Sequence, residues 1–162
     1  MTKTKVTPLA DLAECQQAVL DAVSNAELRL AFFTQQLEPK LYNHRNLCEL
    51  ISALARKNRH SEVRIIAQHT KTVVSEGHCL IDLSQRLSSS MWIRTPTTPE
   101  LQRFQQSWLI VDDHSIIEIS NPERNEGKYI EHDRPYVRNQ LEFFNDAWEN
   151  SEADLYSRRL GF

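Results

Sequence analysis

Two apolar runs, ELRLAFFT at 27–34 and EVRIIAQ at 62–68, bracket a stretch whose apolar residues recur at helical spacing. No other feature constrains the fold as tightly. Leu47, Leu50, Ile51 and Leu54 fall on one face of a helix predicted over 44–58. Strand, helix and strand in so short a span form a right-handed βαβ unit with parallel strands.

The rest of the chain reads around that unit. Residues 1–6 are expected to form a loose leader, with Thr7 capping a first helix and Pro8 in its first turn. Leu9, Leu12, Ala13, Ala18, Val19, Leu20 and Val23 supply that helix's apolar stripe. Residues 38–43 read as a turn, 73–87 as one helix with Cys79, Leu80, Leu83 and Leu87 on one side, and 91–94 as a short strand. After a Pro- and Thr-rich loop at 95–100, two strands at 108–113 and 116–120 make a hairpin. A polar loop at 122–134 holds a short strand at Tyr129 and Ile130. The last helix covers 135–150, with Val137, Leu141, Phe144 and Trp148 on one face. The tail, 151–162, is expected to pack Leu155, Leu160 and Phe162 back on the body. There is no internal repeat and no linker-like break, so the 162 residues are expected to form a single α/β domain.

The formal net charge is -3, so no overall basic field draws the chain to nucleic acid or an anionic membrane. Arg56, Lys57, Asn58, Arg59 and His60 make a local basic run, most plainly the solvated end of a helix whose dipole favours cations there. Only three glycines are present, which excludes a glycine-rich phosphate loop. Cys15, Cys48 and Cys79 are odd in number and form no CxxC pair. A reduced, cytoplasmic protein is therefore expected, with Cys15 and Cys48 as small core residues. No apolar run is long enough for a signal peptide or a membrane span.

Six histidines offer no HxxxH spacing: His44 opens a helix, His69 and His78 lie nine apart, and His60, His114 and His132 read as surface loop residues. Neither a metal nor a cofactor is expected. His78, just after Gly77, has two readings. It faces the cleft at the strand C-termini, or it is a hydrogen-bonded histidine at a packed helix face.

Residues 104–121, FQQSWLIVDDHSIIEISN, carry the functional argument. This hairpin resembles the motif of phospholipase D-like domains, in which His-x-Lys opens a strand, four residues lead to Asp, and a returning strand ends near Ser-x-Asn. Laid on this chain, the Asp falls on Asp112, the Lys position on Ser107, the His position on Gln105, and the closing turn on Ser120 and Asn121. The resemblance implies a mixed central sheet flanked by helices, and a homodimer whose motif regions face each other. It also implies a degenerate site. In catalytic members the His takes the phosphoryl group and the Lys binds phosphate oxygens, whereas a Gln amide cannot carry a phosphoryl group and Ser107 has no positive charge. The plainer reading of Gln105, Ser107 and Asp112 is ordinary hairpin structure with an acidic turn.

A second resemblance is to a bacterial family without an assigned activity, some members of which carry the region beside an acetyltransferase domain. Its matching residues are LEPKLYN at 37–43, Gly77-His78-x-Leu80, Arg86-Leu87-Ser88-Ser89, Ile93-Arg94 and the run 148–160. It implies a shared fold and brings no activity.

Three functions follow from these readings. The first is a non-catalytic module that binds a protein or small ligand through Gln105, Ser107, Ser120, Asn121 and His78. The second is a phosphodiester hydrolase with altered chemistry, using His78 or His69. The third is nucleic-acid binding through Arg56, Lys57, Arg59, His60, Arg64 and Arg94, which the acidic total charge disfavours.

Overall fold

In the computed structural model, which describes residues 3–121 and 123–157, fifteen elements build an eight-stranded sheet between two helical layers. The strands are β1 (Lys5–Leu9), β2 (Arg29–Thr34), β3 (Glu62–Ala67), β4 (Met91–Pro96), β5 (Ser107–Val111), β6 (Ser115–Asn121), β7 (Glu126–Glu131) and β8 (Ser151–Ala153). The helices are α1 (Leu12–Ser24), α2 (Pro39–Tyr42), α3 (Arg45–Lys57), α4 (Lys71–Glu76), α5 (Cys79–Arg86), α6 (Pro99–Gln102) and α7 (Arg134–Glu149).

The strand order is β1-β7-β6-β5-β2-β3-β4-β8. β2, β3 and β4 are parallel, joined by α3 and by the α4–α5 pair, and every other pairing is antiparallel. The expected βαβ unit and mixed sheet are both present. Because side chains alternate along a strand, RLAFFT serves two cores at once. Leu30 and Phe32 join the core under α1, α3 and α5, while Ala31 and Phe33 join Trp108, Val137, Phe144 and Trp148 under α7.

Several expectations are corrected. Lys5 and Val6 are not a loose leader, and Pro8 does not open a helix. Both ends of that segment lie in β1, which pairs with β7 alone. Proline fits there because an edge strand leaves one row of backbone groups without a ladder partner. The helix starts at Leu12, and Asp11 caps it by accepting from the Glu14 N–H at 2.9 Å. The turn at 38–43 contains the short helix α2.

The single helix expected over 73–87 is two. Gly77, at φ 89°, breaks the helical path, and the chain restarts with His78 as the N-cap of α5.

Cys48 and Cys79 were expected to be reduced. They are joined as a disulfide between α3 and the first turn of α5, with Cα atoms 6.5 Å apart. No short sequence motif announces this pair, because tertiary packing brings the two helices together. Cys15 is the core residue expected; its buried thiol donates to the Asn125 carbonyl, and burial pushes its pKa up to about 11.

The tail does return to the body, though differently. Residues 151–153 add β8 to β4, and Asp154 buries its carboxylate against the Thr70 and Thr95 hydroxyls and the Ser157 N–H. Leu155, in contrast, is exposed. Leu160 and Phe162 lie outside the described residues.

Candidate functional site

The sheet changes character at β2, which is parallel to β3 on one side and antiparallel to β5 on the other. The C-terminal ends of β2 and β3 therefore share one end of the sheet with the start of β5 and the end of β6. In open α/β sheets, ligands bind at such a switch point.

Two glutamines shape this end. Gln35, just past β2, donates through Nε2 to the carbonyls of Phe104 and Gln106 at 3.2 and 3.0 Å. Gln68, just past β3, donates to the carbonyls of Leu101 and Phe104 at 2.8 and 2.6 Å. Together they pin the loop that leads into β5. Neither glutamine carries a motif in the sequence; the signal each gives is that it stands at the end of a buried apolar strand. Gln35 Oε1 and Trp108 Nε1 are buried there without a hydrogen-bond partner among the described residues.

Ser107 is buried and sits across from Ile119 in the hairpin ladder. Ser107 and Ser120 line one cavity of about 300 Å³ with Gln106, Glu118, Gly127 and Lys128. Gly127 is demanded by the geometry, because a Cβ there would collide with the Glu118 carbonyl oxygen. The Tyr136 hydroxyl donates to Glu118 from α7; burial first, and then that bond, push the phenol up to about 12. Gln105 and Asn121 are not in the cavity wall. The exposed Gln105 amide donates to the Arg103 carbonyl, and Asn121 Oδ1 accepts from the Arg124 N–H. Among the described wall residues, Lys128 is the one cation, and Glu118 stands opposite it in the β6–β7 register.

His78 is placed elsewhere. Its side chain is buried, with Nε2 against the Leu37 carbonyl at 2.8 Å and Nδ1 accepting from the Leu80 N–H at 3.1 Å. Burial holds its pKa below the ordinary histidine value, with the Leu37 bond opposing. The packed, hydrogen-bonded reading of His78 describes this geometry. Cys79 N–H adds a bond to Asn43 Oδ1. The LEPKLYN and Gly-His-Cys-Leu runs, far apart in sequence, thus dock on each other.

Between them the backbone is strained. Leu37 sits at φ 54°, a region a branched side chain seldom enters. Glu38 follows, its carboxyl raised by burial even though nearby backbone N–H groups oppose the shift. The Tyr42 hydroxyl is fully buried without a partner among the described residues, and burial with the neighbouring Glu38 and Cys15 raises it well above its ordinary value.

Asp112 marks the opposite end of β5. Its φ is 52°, and its carboxylate accepts from the backbone N–H groups of Glu27, Leu28 and Arg29 at 3.0, 2.9 and 2.9 Å. The aspartate of the hairpin thus fastens the start of β2 to the turn and stands a whole strand away from Ser107. Beside it His114 and His132, read from sequence as loop residues, stack with ring centroids 4.9 Å apart.

The basic residues do not form one patch. Arg56 and Lys57 end α3, and the exposed Arg59 follows ahead of β3. Arg94 lies over the Trp148 ring at 4.3 Å and donates to the Trp148 carbonyl, and Arg64 lies over Phe144 and Trp148. Both of these guanidiniums belong to the packing of α7 on the sheet. No group of three metal-ligating side chains occurs among the described residues. No described helix is long and apolar enough to cross a membrane.

This arrangement is the phospholipase D-like fold, and solved structures agree. The phospholipase D family member Nuc from Salmonella typhimurium superimposes with TM-score 0.67 at 15% identity, covering 94% of this chain and 99% of its own. NucT from Helicobacter pylori gives 0.60 at 12%, with coverage of 94% and 99%. The archaeal chromatin protein TrmBL2, described as having a novel mode of DNA binding, gives 0.67 at 15% over 93% of this chain and 54% of its own. At such identities these likenesses establish the fold alone. The chain itself belongs to the family described as a domain of unknown function (DUF7931), which matches residues 11–160. No curated protein matches the sequence.

Proposed function

We propose that this chain is a non-catalytic phospholipase D-like module that binds a ligand or partner at the Ser107 end of its hairpin. One observation carries the reading. The positions that would supply the nucleophile and the phosphate-binding cation are Gln105 and Ser107, and Gln105 turns its amide onto the Arg103 carbonyl. An amide offers no basic lone pair for phosphoryl transfer. A buried serine hydroxyl supplies no charge to stabilise a phosphorane-like transition state. At this end lies a small cavity whose wall includes Ser107, Ser120, Glu118 and Lys128. By the same family resemblance the module pairs as a homodimer with these ends facing.

An NMR titration of ¹⁵N-labelled protein with bis-p-nitrophenyl phosphate tests the binding half. Amide shifts should saturate at Gln106, Ser107, Ser120 and Gly127, with the probe recovered intact. No shifts, or shifts confined to other regions, contradict it.

A further inference from the structure

On the face of the sheet covered by α7, an open groove of about 640 Å³ runs between α6 and α7. It lies outside the cavity of Ser107 and Ser120, so what it binds is independent of the function proposed above. Pro99, Leu101, Phe143 and Ala147 give it an apolar lining, and Glu100 and Asp146 stand among them. Phe143 is 37% exposed. Its ring is held in place by stacking on Phe104 at 5.0 Å and by edge contact with Trp108 at 5.6 Å. The groove therefore presents a rigid aromatic ring to solvent, the kind of anchor on which interface energy concentrates.

Charge identifies the occupant. Glu100 and Asp146 are exposed and make no ion pair among the described residues. Helical spacing sets the exposed Glu142 and Glu149 beside Asp146, one turn to either side. No lysine or arginine is among the lining residues, and Arg103 caps the far end of α6 outside the groove. We propose that this groove docks a basic amphipathic helical segment of a partner protein, its apolar side on Phe143 and its cations against Glu100 and Asp146.

The test uses two labelled fourteen-residue peptides with leucine at identical helical spacing, one with lysine at every polar position and one with glutamate. Fluorescence anisotropy should show binding of the lysine peptide only. Glu100→Lys with Asp146→Lys, both surface changes, should weaken it by about tenfold or more, while Glu76→Lys on α4 leaves it unchanged. Phe143→Ser should weaken it as well. Equal binding of both peptides, no binding of either, or an affinity indifferent to the double reversal overturns the proposal.

Discussion

Asp112 fastens three consecutive backbone N–H groups and holds a left-handed conformation that aspartate tolerates better than most residues. Charge-assisted bonds of this kind each contribute more than a neutral pair, so Asp112→Ala should lower unfolding stability by about 3 kcal/mol. Urea denaturation should show this as a lower midpoint with an unchanged slope. His78 makes a different prediction. Its folded pKa is held below the ordinary value of 6.5, so the unfolded chain takes up a proton first as pH falls. The stabilisation is complete above about pH 6.5 and is lost as pH drops through the folded value. His78→Asn keeps a capping acceptor and does not titrate, so its stability should be flatter across that window. A variant with the same pH slope as the parent would contradict this. Both residues were visible in the sequence as candidates, but which backbone groups they serve is decided by tertiary placement.

At the level of elements, the βαβ unit, the 104–121 hairpin and the last helix were legible because the helices bury an apolar stripe of helical period and the central strands are short continuous apolar runs buried on both faces. The first strand was not. KVTPL has a proline and alternates weakly, and it is a strand only because β7 offers it an unpaired edge. The break at Gly77 was half legible, since a glycine inside an apolar helical pattern signals either a packing need or a stop. The Cys48–Cys79 bond was hidden, as nothing in a spacing of 31 residues favours pairing over burial. Reducing it, or replacing both cysteines by serine, should cost about 2–4 kcal/mol by freeing that loop in the unfolded chain. Thermal melting with and without reductant measures it. At the β6–β7 pair, Gly127→Ala should destabilise by about 1–3 kcal/mol, because the added methyl drives into the Glu118 carbonyl. Its NMR signature should appear first at Ser107 and Ser120, which line the same cavity.

Across the whole molecule, the function proposed here separates the fold from the chemistry. The sheet order, with an antiparallel hairpin beside a parallel βαβ unit, is that of a phospholipase D-like domain, while on the proposed reading the positions of the nucleophile and its cation are held by Gln105 and Ser107. Of the residues singled out in the sequence, Ser107 and Ser120 line one cavity, whereas Gln105 and Asn121 turn to local backbone and His78 serves a helix cap. Gln35 and Gln68, which set the shape of that end, gain their role only when the sheet brings the 101–106 loop to them. The central claim, a retained scaffold without its nucleophile, is tested most directly by the steady-state hydrolysis of bis-p-nitrophenyl phosphate, with and without divalent metal. The account predicts no release of nitrophenol above the buffer rate. Turnover that disappears in Ser107→Ala or His78→Ala would contradict it.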